Sequence, residues 1–214
     1  MKTIMCFGDS NTYGYIPKTA DRYDEDVRWT GILNHRVKDL GYRVVEEGLV
    51  GRTTVFPDNL RPGRKGSEFL PVLMESHYPV DTVVLMLGTN DCKTVYGASP
   101  EVIGKGIEKL LRQIKAANES TKILLVSPIY LGENVWREEF DPEFDEKSVE
   151  TSKRLKDVYI RLATEYGCDF LAASDVADPS AADQEHLTEE GHKALAEAIF
   201  TALQSRKIYQ KGGR

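Results

Sequence analysis

Cysteine is scarce in this chain. Its 214 residues hold three, Cys6, Cys92 and Cys168, an odd number without regular spacing. That argues against a disulfide framework. With Cys6 and Cys168 set in apolar runs, it predicts buried free thiols and a reducing, cytoplasmic location. The cysteines and the four histidines are too scattered for a zinc spacing, so no metal is expected. Long hydrophobic runs are lacking. Thr82–Leu87 and Ile123–Val126 are far too short to cross a bilayer, and Met1–Met5 lacks the apolar core of a signal peptide. Positive charge is in the minority, with 28 Lys and Arg against 34 Asp and Glu and a net charge of -6. Neither nucleic acid nor an anionic membrane surface is therefore expected as a partner. Gly-x-Gly-x-x-Gly and Walker loops are both missing, which weakens a nucleotide-binding reading.

What is present fits a single globular domain over 1–214, with 41% hydrophobic and 29% charged residues. Its core should span about 3–205, with 208–214 as a frayed tail. Five short apolar runs read as strands: Thr3–Phe7, Tyr42–Glu46, Thr82–Leu87, Ile123–Ser127 and Cys168–Leu171. Their apolar residues are continuous rather than alternating, as in parallel strands covered on both faces. Helical spacing marks Trp29–Leu40, Pro100–Asn118 after a Ser99 cap, Ser148–Tyr166, and Thr188–Gln204. This alternation predicts an α/β fold, a flavodoxin-like three-layer α/β/α sandwich on a five-stranded parallel sheet. Ligands bind such sheets beyond the carboxyl ends of the strands. Three long loops, Tyr13–Arg28, Val55–Gly66 and Tyr130–Lys147, start from that edge, where loops of this length are commonly functional.

Four features fall at the same edge. Gly8-Asp9-Ser10 follows the first strand and can hold a hydroxyl above the sheet. Gly88-Thr89-Asn90-Asp91 follows the third, where the Asn90 amide can donate to a developing oxyanion. Asp183-Gln184-Glu185-His186 precedes the last helix, and a carboxylate three residues before an imidazole can fix its tautomer. After the second strand, Gly48 and Gly51 compete as a further backbone donor. Each feature alone is an ordinary turn or a solvated histidine. Together they supply nucleophile, donors and base in an arrangement that chance turns rarely make. Cys92 is a minor rival nucleophile with no assigned base. Arg52 is a candidate substrate contact, although a turn arginine is more often solvated. His35 and His77 read as helical surface residues, and His192 as structural or solvated.

Gly8-Asp9-Ser10, the glycine after strand two, Gly88-x-Asn90-Asp91 and Asp183-x-x-His186 resemble the four blocks of the SGNH (GDSL-like) hydrolases. The resemblance runs from residue 3 to about 200. Gly51-Arg52-Thr53-Thr54 is similar to the arylesterase/acyltransferase branch and favours Gly51 over Gly48. The leucine usual after the nucleophile is Asn11 here. The resemblance implies Ser10, His186 and Asp183 as catalytic residues. It implies an oxyanion hole from Ser10, Gly51 and Asn90, no cofactor, and a homo-oligomer, an octamer in some members of the branch. The expected activity is hydrolysis of short-chain carboxylic esters such as acetyl esters, aryl esters or acetylated carbohydrates. Acyl transfer to alcohols is a variant. In the Tyr130–Lys147 loop, Trp136 and Tyr130 offer flat faces for a sugar. The three loops should expose Tyr15, Ile16, Tyr23, Val27, Phe56, Leu60, Trp136 and Phe140, which would favour assembly. The alternative is a non-catalytic flavodoxin-like binder of a nucleotide or another small molecule.

Overall fold

In the computed structural model, which describes residues 1–205, five strands form one parallel sheet in the order β2-β1-β3-β4-β5. They are β1 (Lys2–Gly8), β2 (Tyr42–Gly48), β3 (Thr82–Met86), β4 (Lys122–Ser127) and β5 (Asp169–Ala172). The last strand starts one residue later than its apolar run suggests, leaving the Cys168 thiol buried just before it. The expected tail at 208–214 lies outside the described residues.

The continuous apolar strands are sorted by the pleat. Met5, Phe7, Val83, Leu85, Ile123 and Leu125 face one side, with α3 (Gly66–Ser76), α4 (Pro100–Ala117) and α5 (Glu146–Tyr166). Ile4, Cys6, Val84, Met86, Leu124 and Val126 face the other, with α2 (Trp29–Lys38) and α6 (Glu189–Ser205). The result is the flavodoxin-like three-layer sandwich.

Local chemistry sets the helix ends. Ser99 Oγ accepts the Val102 N–H at the start of α4, as expected of a cap. α5 begins two residues before Ser148, because Asp145 and Ser148 form a reciprocal capping box. α3 contains Pro71, which cannot donate to the carbonyl four residues earlier. That carbonyl, Ser67, instead accepts from Gln113 Nε2 of α4 at 2.8 Å, so the helix continues through the proline. His77 caps α3 and meets Glu47 at 2.8 Å, which makes it half-buried rather than a free surface residue.

The long loops are less exposed than expected. Of the eight apolar residues assigned to their surfaces, only Leu60 is exposed, at 89%. The others are half-buried because the loops fold onto the chain. Phe56 stacks on Tyr96 at 4.9 Å, Tyr23 meets His192 edge-on at 5.2 Å, and Lys18 sits over Phe140 at 5.1 Å.

Candidate active site

The strands place three turns side by side. In the sheet register Gly8 pairs with Gly48 on one side and with Met86 on the other. The strand order reverses between β1 and β3, the switch point at which such sheets bind ligands. Ser10 opens a single helical turn, α1 (Ser10–Tyr13), capped by Asp9, whose carboxylate accepts the Asn11 N–H at 3.0 Å. Asn90 opens a turn of 3-10 helix after β3.

These turns are cross-braced. Asn90 Nδ2 donates to the Arg52 carbonyl at 3.1 Å. Asp91 accepts from both the backbone and the hydroxyl of Thr54. Its burial is complete, which pushes its pKa up to about 6 even though the Thr54 bonds favour the charge. Arg52 does not reach the cleft. It is buried, donates to the carbonyls of Gly8 and Glu47, and lies over the Phe7 ring at 4.3 Å. It is a brace for two turns and not the substrate contact or solvated group its position suggests.

The two candidate glycines separate. A Cβ on Gly48 would fall 2.2 Å from the Tyr13 nitrogen, so Gly48 is required by close packing against α1. Gly51 has φ +79°, a left-handed conformation that suits glycine, and it lines the cleft. The backbone N–H groups of Ser10 and Gly51 find no acceptor among the described residues.

The loop before α6 supplies the rest. His186 Nε2 lies 2.9 Å from Ser10 Oγ, and His186 Nδ1 lies 2.8 Å from Asp183 Oδ2. The other Asp183 oxygen accepts the N–H groups of Glu185 and His186, at 3.1 and 3.0 Å. Although burial disfavours its charge, these bonds and the imidazole hold Asp183 below the ordinary carboxylate range. Burial also opposes a charged His186, but the carboxylates of Glu185 and Asp183 outweigh it and hold the pKa above 6.5. An imidazole oriented in this way can take a proton from the hydroxyl. Ser10, Gly51, Asn90, Asp183 and His186 all line one cleft of about 230 Å³.

The sequence reading missed several parts of this site. Asn11, the departure from the usual leucine, is buried and grips the backbone on both sides of His186. Its Oδ1 accepts the Leu187 N–H at 2.9 Å, and its Nδ2 donates to the Glu185 carbonyl at 3.3 Å. Two such bonds contribute about 1 kcal/mol each. They bind the Ser10 turn to the His186 loop. A small amide beside the nucleophile was the available signal. Tyr15 packs against the His186 ring at 4.5 Å. The Arg61 guanidinium stands against Gly51, and Lys18, Lys93, Phe140 and Glu185 complete the walls. Phe140 is the aromatic residue that the Tyr130–Lys147 loop brings to the cleft, whereas Trp136 packs against the core outside it. That loop also braces the base: Gln184 accepts from the Gly132 and Asn134 N–H groups at 2.8 and 2.9 Å.

The remaining candidates lie apart. The Cys92 thiol is buried and its pKa is raised well above the usual value, so it is held as a thiol. His192 is buried and receives the Trp29 N–H, and burial pushes its pKa down to about 3. It is a neutral core residue. His35 is exposed beside Glu25 and Asp26. Among the described residues no group of three or more His, Cys, Asp or Glu side chains could hold a metal ion. None of the described helices is long and apolar enough to cross a membrane.

Known proteins share this fold. No curated protein matches the chain. Among solved structures, an aryl esterase from M. smegmatis is 32% identical with TM-score 0.85, covering 96% of this chain and 99% of that one. Est24, a carbohydrate acetylesterase from Sinorhizobium meliloti, is 34% identical with TM-score 0.86, covering 96% and 100%. Another solved chain is 41% identical with TM-score 0.88, covering 96% and 98%. The model of the GDSL-like lipase/acylhydrolase family matches residues 6–194, from within β1 into α6. With the match that extensive and the fold of the solved esterases shared throughout, the chain belongs to the GDSL-like lipase/acylhydrolase family and is a hydrolase of the SGNH fold.

Proposed function

We propose that the chain is a serine esterase acting on short-chain carboxylic esters, with Ser10 as nucleophile. The observation that carries this reading is the hydrogen-bonded chain Ser10–His186–Asp183 beside two unpaired backbone donors in one cleft. Ser10 Oγ attacks the ester carbonyl as His186 Nε2 takes its proton. Asp183 keeps the Nδ1 proton in place and stabilises the imidazolium. The oxyanion receives the N–H groups of Ser10 and Gly51 and the free N–H of the Asn90 amide. Collapse of the intermediate breaks the ester bond, and His186 passes its proton to the leaving alcohol. Water, deprotonated by His186, then attacks the acyl-Ser10 ester and frees the acid. An alcohol entering in place of water would make the protein an acyltransferase.

The small cleft supports acetyl and similar acyl groups. Two of the chain's structural relatives, an aryl esterase and a carbohydrate acetylesterase, point to aryl acetates and acetylated sugars. The three buried, unpaired cysteines suit a reducing compartment and hence the cytoplasm. A chromogenic acetate ester tests the reading. Turnover should cease when a serine-directed organophosphate reacts, and the adduct should map to Ser10. A yellow protein carrying flavin and inert towards esters would instead favour the non-catalytic binder.

Only neutral imidazole accepts the serine proton, so activity should rise with pH through the His186 pKa. Because that pKa is held above 6.5, half-maximal kcat/KM should fall above pH 6.5. A profile flat between pH 5 and 8 would count against a histidine base.

We also propose a homo-oligomer whose neighbours narrow the cleft. Leu60 and Val95 are exposed, one and two residues from Arg61 and Lys93 on the cleft wall. Apolar groups at a charged rim favour such contacts. Light scattering at micromolar concentration should give a multiple of 24.1 kDa, and a mass of one chain would refute the assembly.

A further inference from the structure

Of the cleft carboxylates that the mechanism does not use, Asp141 and Glu143 face Lys93, and Glu185 has no such partner. Its side chain lines the cleft with Ser10, Gly51, Asn90 and His186, yet the residue is only 7% exposed. No N–H or O–H group among the described residues donates to its carboxylate. Asp183 takes the Glu185 backbone N–H, and Asn11 donates to the Glu185 carbonyl. Lys93, a cation that acts on it through the cleft, is engaged by Glu143 and stands 3.7 Å from Asp141. Burial consequently raises the Glu185 pKa, with His186 and Lys93 pulling it partly back and Asp141 and Asp183 adding to the rise. A carboxylate this far buried, with no donor from the protein, gains from a donor that a ligand brings.

Its position says which part of a ligand that is. Glu185 Oε1 lies 4.0 Å from His186 Nε2, the atom that takes the Ser10 proton and returns it to the leaving oxygen. The carboxylate therefore stands at the Nε2 end of the imidazole, where the leaving oxygen receives its proton, while Asp183 holds the Nδ1 end. We infer that Glu185 is a specificity-determining residue that accepts a hydrogen bond from a hydroxyl neighbouring the ester oxygen. The preferred substrates are then short-chain acyl esters of vicinal diols and polyols. This inference rests on the esterase reading. It adds no covalent step: the hydroxyl keeps its proton and orients the leaving group.

Two esters that differ by one hydroxyl test it, trans-2-hydroxycyclohexyl acetate and cyclohexyl acetate, with the full chain and acetate release as readout. A hydrogen bond to a charged acceptor should give the parent protein a preference in kcat/KM of about tenfold to a hundredfold for the hydroxy ester. E185L should bring that ratio to about one, and the isosteric E185Q to about threefold. If Glu185 acts only on the basicity of His186, both esters slow together and the ratio is unchanged, which overturns the inference. Equal rates on the two esters in the parent protein overturn it as well. If E185L does not fold, the ratio in E185Q decides. Failure of the parent protein on every ester, an activated aryl acetate included, would overturn the esterase reading itself.

Discussion

Replacing Ser10 with alanine is expected to reduce ester turnover by roughly a thousandfold or more while leaving the protein folded. The loss corresponds to about 4 kcal/mol of transition-state stabilisation. It arises because the acyl-enzyme route closes, leaving only the oxyanion donors and binding to assist water. The fold should survive because the Ser10 hydroxyl makes one hydrogen bond, to His186, whose ring remains held by Asp183. α1 keeps its Asp9 cap and the grip of Asn11 on the His186 loop. Steady-state kinetics and a thermal melt on the same preparation check both halves of the expectation. Near-normal turnover in S10A would remove Ser10 from the mechanism.

Asn90→Ala is expected to lower kcat by about a hundredfold with a smaller change in KM, because its amide is used most when the carbonyl oxygen carries charge. The substitution has a second consequence. Asn90 Nδ2 also holds the Arg52 carbonyl, so N90A leaves a buried acceptor unpaired at a cost of roughly 1–3 kcal/mol. A modest fall in melting temperature should accompany the kinetic defect without explaining it. N90D, whose carboxylate can donate to neither the oxyanion nor the Arg52 carbonyl, tests the donor role at constant shape. It sets a carboxylate against the oxyanion, and should be at least as damaging to kcat as N90A. An unchanged kcat in either variant would reduce Asn90 to a turn residue.

The sheet was readable in the sequence because a strand buried on both faces must be apolar throughout, and such runs are hard to mistake. Ser10, Asn90, Asp183 and His186 were readable for a related reason. Each sits in a short turn fixed to the end of a regular element, so chain position implied position in space. Where a residue's task depends on a distant partner, that logic fails. Arg52 is drawn inward by the Gly8 and Glu47 carbonyls. Asn11 acts on backbone 174 to 176 positions away. Gly48 and Gly51 could not be told apart by residue type, because one is required by its neighbour and the other by its own φ angle. The loops are less exposed than expected because their aromatic residues find partners in Tyr96, His186 and His192.

In the proposed mechanism Ser10 and His186 stand 176 positions apart in sequence, which would tie the chemistry to synthesis of the chain as far as α6. During synthesis all five strands emerge before the base does, so a nascent chain can assemble its sheet while still inert. The same holds for a proteolytic fragment that ends before Asp183, however well it packs. On the proposed mechanism, turnover of an ester would report that the Ser10 turn and the His186 loop have met, and would serve as a sensitive assay of refolding.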